Sequence, residues 1–295
     1  MSTSPAPRVL CFGEVLWDCL PTGRLPGGAP LNVAYHLSRL GAEPRMISAV
    51  GTDALGDELL AYLGSRGLST AFIERHRRLP TGIVTVAVSA GGQPSYTIEE
   101  GVAWDDIAGT GAWRAAVPGS SAIVFGSLAA RTAANRGALD ELLATPGLLR
   151  VMDVNLRAPF DEPELVLSLA RWADVIKLNE HELAVLTDRE VGIDEWAEGL
   201  SSKLGVLEEA TGCRRICVTG GEYGAALWQG GALIHAAAPK ITVRDTIGAG
   251  DAFTAALVHG LLTMPGENAA TLARACALGA LVASLPGGQP DYDLK

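Results

Sequence analysis

The sequence predicts an α/β fold, with a mostly parallel central sheet covered by helices on both faces. Three observations predict it. Short, nearly continuous apolar runs recur along the chain, and helical stretches separate them. A strand buried on both faces reads as an unbroken apolar run, as parallel sheets between helices require. Two alternating segments around Ala90-Gly91-Gly92-Gln93-Pro94 add a β-hairpin outside that repeat.

Residues 9–12 make the first predicted strand, and residues 14–20 also look extended. Pro30 opens a helix over 31–40, where Val33, Ala34, Leu37 and Leu40 face the core and Gly41 ends it. A strand at 46–50 and a helix at 55–66 follow, then the hairpin of 83–88 and 95–99. The repeat resumes with strands at 123–125, 151–154, 175–178 and 216–219. The helices expected between and after them cover 134–144, 163–171, 179–186, 194–210, 252–262 and 269–284. The 252–262 helix has Phe253, Ala256, Leu257, Gly260 and Leu261 at helical spacing. The hairpin and the 14–20 segment are expected to form a small sheet projecting from one domain that spans 1–295.

At 295 residues and 48% hydrophobic content, the chain has material for a sizeable core. A net charge of −10 argues against nucleic acid or an anionic membrane as partner. Five cysteines without a C-x-x-C pair read as thiols in a reducing compartment, and five histidines without a ligand pattern argue against zinc. With no leader-like start and no apolar run of membrane length, a cytoplasmic protein is expected.

The most informative string is Asp245-Thr246-Ile247-Gly248-Ala249-Gly250-Asp251. Gly248, Ala249 and Gly250 leave their amides bare at a helix N-terminus, where an anion is favoured. Asp251 beside them would repel that anion. It makes sense as the base that takes a proton from a hydroxyl attacking it. Asp251 alone would read as a helix cap.

A second string, Gly27-Gly28-Ala29-Pro30-Leu31-Asn32, lets backbone approach a ligand and places Asn32 in a first helical turn. Asp18 follows the first strand as an acceptor of hydroxyl hydrogen bonds. Asn179 and Glu182 share a helix face at a strand end, which suits Mg²⁺ through water and also suits ordinary capping. Thr219-Gly220-Gly221-Glu222-Tyr223-Gly224 reads as a glycine turn between strands or as a loop approaching phosphates and ribose. Asp153, Asn155 and Arg157 follow another strand; Arg157 reads as a ligand contact or a surface ion pair. No G-x-x-x-x-G-K-[ST] or G-x-G-x-x-G string occurs, which disfavours a P-loop enzyme and a dinucleotide-binding dehydrogenase.

Together these strings resemble the PfkB family of carbohydrate kinases, in family order from Asp18 to Asp251, and Gly-Gly-Ala-Pro is most similar to fructokinases. The resemblance implies a ribokinase-like α/β/α domain with a small β lid, here about 14–25 and 80–104. It implies a kinase using ATP and Mg²⁺. Asp251 would be the base, and the amides of Gly248, Ala249 and Gly250 would hold the transferring phosphate. Asp18, Gly28, Asn32 and Arg157 would bind the sugar. Asn179, Thr219, Gly221 and Gly224 would bind the nucleotide, Glu182 would organise Mg²⁺ through water, and Asp245 would lie near a monovalent cation such as K⁺ where one is used. Fructose is the expected sugar. The alternatives are 2-keto-3-deoxygluconate, ribose, a nucleoside, or a non-catalytic sensor on the same fold. A monomer or a homodimer through the lid is implied.

Overall fold

The computed structural model describes residues 5–20, 23–88, 94–109, 111–187 and 198–293. A nine-stranded sheet forms its centre, in the order β13-β12-β11-β10-β9-β8-β1-β4-β5. These are β1 (Arg8–Phe12), β4 (Glu43–Gly51), β5 (Ile73–His76), β8 (Ala122–Phe125), β9 (Leu149–Asp153), β10 (Val175–Asn179), β11 (Arg215–Thr219), β12 (Ala225–Gln229) and β13 (Ala232–Ala236). Pairing is parallel from β5 through β11, and the β12–β13 hairpin is antiparallel. Sequence periodicity did not isolate β5, β12 or β13; β5 is mixed polar and apolar, while β12 and β13 are short runs close together beyond the glycine turn.

Alternation along the strands builds two cores. Val9 and Cys11 pack on one side with α1 (Ala29–Arg39), α2 (Ala54–Ser65), α7 (Ala249–Thr263) and α8 (Asn268–Ala283). Leu10 and Phe12 pack on the other with α3 (Ala133–Leu143), α4 (Pro163–Ala170), α5 (Glu180–Thr187) and α6 (Glu198–Thr211). Successive strand residues point to opposite faces, so both faces must be apolar when both carry helices. The expected helices stand within a few residues of these bounds. The first residues of the one expected at 194–210 lie outside the described residues, as does the hairpin turn at 90–93.

A separate sheet, β3-β2-β6-β7, joins β2 (Leu16–Leu20), β3 (Gly23–Gly27), β6 (Gly82–Val88) and β7 (Pro94–Ile98). β2 pairs antiparallel with β3 and parallel with β6. The chain enters this small sheet directly from β1 and returns from it into α1, so its base lies over the ends of the central strands. Among the described residues no helix is long and apolar enough to cross a membrane, and all five cysteines are free thiols.

Candidate active site

Strand order reverses between β1 and β8: the chain runs from β1 to β4 on one side and later to β8 on the other. Ligands bind outside the strand ends at such a switch point. A cavity lies there, lined by Glu14, Pro30, Ser127, Asp153 and Asn155 among others. Asn155 adopts φ 44°, a left-handed conformation uncommon for a residue with a side chain.

α7 aims its N-terminus at this region. Gly248 is its N-cap with φ 76°, and a Cβ there would lie 2.5 Å from the Gly288 Cα, so the turn admits only glycine. The Ala249 amide donates to the Thr246 carbonyl at 3.2 Å and is therefore turned into the loop. Gly250 and Asp251 occupy the first turn, where helix geometry gives the N–H groups no partner.

Asp251 accepts a 2.8 Å hydrogen bond on Oδ2 from Asn32 Nδ2, across 219 residues of sequence. Burial, and then the charge of Asp153, push its pKa up to about 6, against the pull of Asn32, Lys177 and Arg157. The Asn32 amide is thus held by Asp251 on one side. On the other, its Oδ1 accepts from Gln289 Nε2 at 2.8 Å. The fold sets the Asn32 amide, expected to meet a ligand hydroxyl, directly beside the Asp251 carboxylate.

Beneath them lies a group that the motifs did not reveal. Lys177 and Asp153 are buried and paired at 3.0 Å, and the Thr254 hydroxyl donates to Asp153 at 2.7 Å while lying 3.0 Å from the Gly250 carbonyl. Burial alone would lower the Lys177 pKa; the charges of Asp153 and Glu182 more than offset it and raise it. A Cβ on Gly250 would sit 3.3 Å from Lys177 Nζ, so the ammonium lies directly under the turn. The available signal was a lone lysine inside the apolar run of 175–178.

Asp18, on β2, has its pKa raised by burial to about 6, with Arg157 lowering it. Gly27 is bare because a Cβ would strike the Asp18 Oδ2 at 2.2 Å, which marks how closely the carboxylate lies over the turn. Gly28 takes φ 112°, and a Cβ there would meet the Glu14 carbonyl oxygen. Glu14, not singled out by sequence, is buried and accepts from the Ala29 amide at 3.0 Å; burial pushes its pKa up to about 7. Arg157 is exposed, and its charge reaches Glu14, Asp18 and Asp251.

The remaining predicted residues stand along the ends of β10 and β11. Asn179 and Glu182 cap α5 reciprocally: the Asn179 amide donates to Glu182 Oε2 at 2.9 Å, and the Glu182 amide to Asn179 Oδ1 at 2.8 Å. Glu182 Oε1 accepts from the Leu156 amide at 3.0 Å. Each Glu182 oxygen carries one amide and keeps lone-pair capacity for water, which fits a hydrated Mg²⁺ held mainly by phosphates. Thr219 ends β11, and Gly221 is exposed in the turn beyond it. Gly224 is buried instead; a Cβ there would overlap the backbone at Ala236–Ala238, so packing explains that glycine. Asp245 ties two segments together, accepting from the Ile247 amide at 3.0 Å and the Gly287 amide at 2.8 Å. Between β13 and α7, Ile241, Val243 and Ile247 are exposed, Val243 at 61%, an apolar strip beside the turn.

The family model described as pfkB family carbohydrate kinase matches residues 8–293. Among curated relatives, the fructokinase of Klebsiella pneumoniae is 28% identical over 316 residues, covering 98% of this chain and 97% of its own. The aminoimidazole riboside kinase of Salmonella typhimurium is also 28% identical, covering 95% and 90%. An uncharacterized sugar kinase from Pyrococcus horikoshii, solved in complex with ATP, superposes with a TM-score of 0.81 at 26% identity, covering 95% of this chain and 94% of that one.

Proposed function

This chain belongs to the pfkB family of carbohydrate kinases, and on that premise we propose that it transfers the γ-phosphoryl group of ATP to the primary hydroxyl of a neutral sugar, D-fructose foremost. The observation that carries the reading is Asp251: a carboxylate with its pKa pushed up to about 6, held by Asn32 in the first turn of α7. A base poised near the working pH is the better proton acceptor.

Asp251 takes the hydroxyl proton as the sugar oxygen forms its bond to phosphorus and the bond to the β-phosphate oxygen breaks, releasing ADP. First-turn amides of α7 and the Lys177 ammonium beneath Gly250 stabilise the negative charge on the transferring group. Mg²⁺ bound to the phosphates would supply further charge neutralisation, with Asn179 and Glu182 placed to hold its water shell. Asp18 accepts sugar hydroxyls from the lid side, and the exposed strip of Ile241, Val243 and Ile247 suits an adenine face.

Charge supports a neutral sugar. Against the burial that raises them, the charge of Arg157 lowers the pKa of Glu14, Asp18 and Asp251 alike, so three carboxylates already share its field. A carboxylate-bearing substrate such as 2-keto-3-deoxygluconate would compete with all three. The second reading, such an acidic sugar, rests on Arg157 being exposed at the cleft and within reach of a ligand.

ATP turnover measured with fructose, ribose, glucose, adenosine and 2-keto-3-deoxygluconate tests the proposal. Fructose is expected to give the highest kcat/KM, since unpaired polar groups in the site penalise the wrong analogue. A preference for 2-keto-3-deoxygluconate would replace the substrate and keep the mechanism; absence of any turnover would favour a sensor.

A further inference from the structure

We propose that Gln289 is a positioning residue for the phosphoryl-transfer reaction: its side-chain amide fixes the orientation of Asn32, so that Asn32 presents its NH₂ to Asp251. The proposal rests on the reading of Asp251 as the base. It starts from the polarity of a hydrogen-bond chain. An ionised carboxylate only accepts, so the atom of Asn32 at 2.8 Å from Asp251 Oδ2 must be Nδ2. That leaves Asn32 Oδ1 facing Gln289, at 2.8 Å from Nε2. Gln289 Oε1 then needs a donor, and the Tyr62 hydroxyl supplies it at 3.3 Å. Each link is forced by the one before it.

The segment carrying Gln289 is held firmly enough to impose this. Tyr35 donates to the Pro290 carbonyl at 2.7 Å, and Arg66 donates to the Gln289 carbonyl at 3.1 Å. The His36 ring bridges the Gly288 carbonyl at 3.0 Å and the Tyr292 hydroxyl at 2.7 Å. Gly288 lies against Gly248, the N-cap of α7, so the same strap that aims Asn32 also buttresses the anion turn. Were the Asn32 amide to rotate by half a turn, its Oδ1 would face the carboxylate and its NH₂ would face the Gln289 NH₂, so Gln289 and Asp251 oppose the rotation together.

The charged groups that act on Asp251 come from several elements: Glu14 after β1, Asp153 at the end of β9, Arg157 in the following loop, and Lys177 on β10. Gln289→Met leaves that set of charges intact, whereas Gln289→Glu adds a carboxylate to it.

Two variants separate orientation from packing. Gln289→Glu keeps the shape but offers Asn32 an acceptor that competes with Asp251 for its NH₂. Gln289→Met keeps the bulk and offers nothing. At pH 8 kcat is expected to fall about 10- to 100-fold in Gln289→Glu and about threefold in Gln289→Met, with sugar KM within about twofold in both. The Asp251 carboxyl, followed by ¹³C NMR and assigned by its loss in Asp251→Asn, should titrate at higher pH in Gln289→Met than in the wild type. Equal losses in the two variants would reduce Gln289 to packing, and an unmoved Asp251 midpoint in Gln289→Met would overturn the proposal. If Gln289→Glu does not fold, that midpoint decides alone. Failure of the underlying reading looks different: Asp251→Asn would keep its turnover, or the wild type would have none, while the midpoint would still test the hold of Gln289 on Asn32.

Discussion

Asp251 shows how burial gives a carboxylate a pH dependence near neutrality. Its pKa rises from the ordinary 3.8 to about 6, mainly through burial and then through Asp153. The folded chain therefore binds a proton between those values that the unfolded chain has released, and folding stability falls as pH rises through that window. Asp251→Asn is expected to unfold at higher denaturant concentration than the wild type above pH 6, with the advantage vanishing below about pH 4, in urea titrations across pH. With Asp251 in its proposed role, activity has the opposite slope, because a base must be ionised. Wild-type kcat should drop as pH falls through about 6, and Asp251→Asn should lose roughly 10²–10⁴-fold in kcat with little change in sugar KM. Glu14 at about 7 and Asp18 at about 6 share the cleft, so the acid limb reports the cluster rather than one residue. A normal kcat in a folded Asp251→Asn protein would leave the residue a helix cap.

Two polar clamps join elements that the apolar pattern leaves independent. Asp53 is the N-cap of α2, accepting from the Gly56 amide at 2.8 Å, and it also binds the Thr81 amide at 2.8 Å and hydroxyl at 2.6 Å just before β6. Burial works against the Asp53 charge, but the hydrogen bonds from Thr81 and Gly56 prevail and lower its pKa. Its stabilisation is present above the usual carboxylate range and is lost as pH falls through the lowered value. Asp53→Ala should cost about 1–2 kcal/mol in urea unfolding at neutral pH and less in acid. The second clamp is the Lys177–Asp153–Thr254 group, which ties β10, β9 and α7. Lys177→Met leaves Asp153 buried without its counter-charge and should cost about 3–5 kcal/mol. A loss below about 1 kcal/mol would mean that water reaches Asp153 once the lysine is gone.

At the scale of the whole molecule, the central sheet gathers Glu14, Ser127, Asp153, Asn179 and Thr219 at or just beyond the ends of five parallel strands, and the small sheet stands over the β1 end of that row. Closure of such an element keeps water from the transferring phosphate. Adding fructose should slow amide hydrogen exchange in β6 and β7, read by mass spectrometry over 83–88 and 94–98. Identical exchange with and without a sugar that is turned over would make the small sheet a static wall.

The chain's own pattern was sufficient for the layered α/β fold, because strands buried on both faces read as unbroken apolar runs and helix faces repeat about every 3.6 residues, and the ordered strings were sufficient for the family. It also marked Asp18, Gly28, Asn32, Asp251 and the glycine turn, because bare backbone before a helix is written in consecutive residues. It left out β5, whose residues mix polar and apolar, and β12 and β13, which are short runs of five residues. What only the tertiary structure decided is which of these groups touch. Asn32 meets Asp251 across 219 residues and Gln289 across 257. Lys177 lies under Gly250, and Ala249 turns its amide inward to Thr246. Such contacts leave no local spacing to read: they arise where strand ends, a helix N-terminus and a strap from the far end of the chain converge, and hydrogen-bond polarity then assigns each group its place.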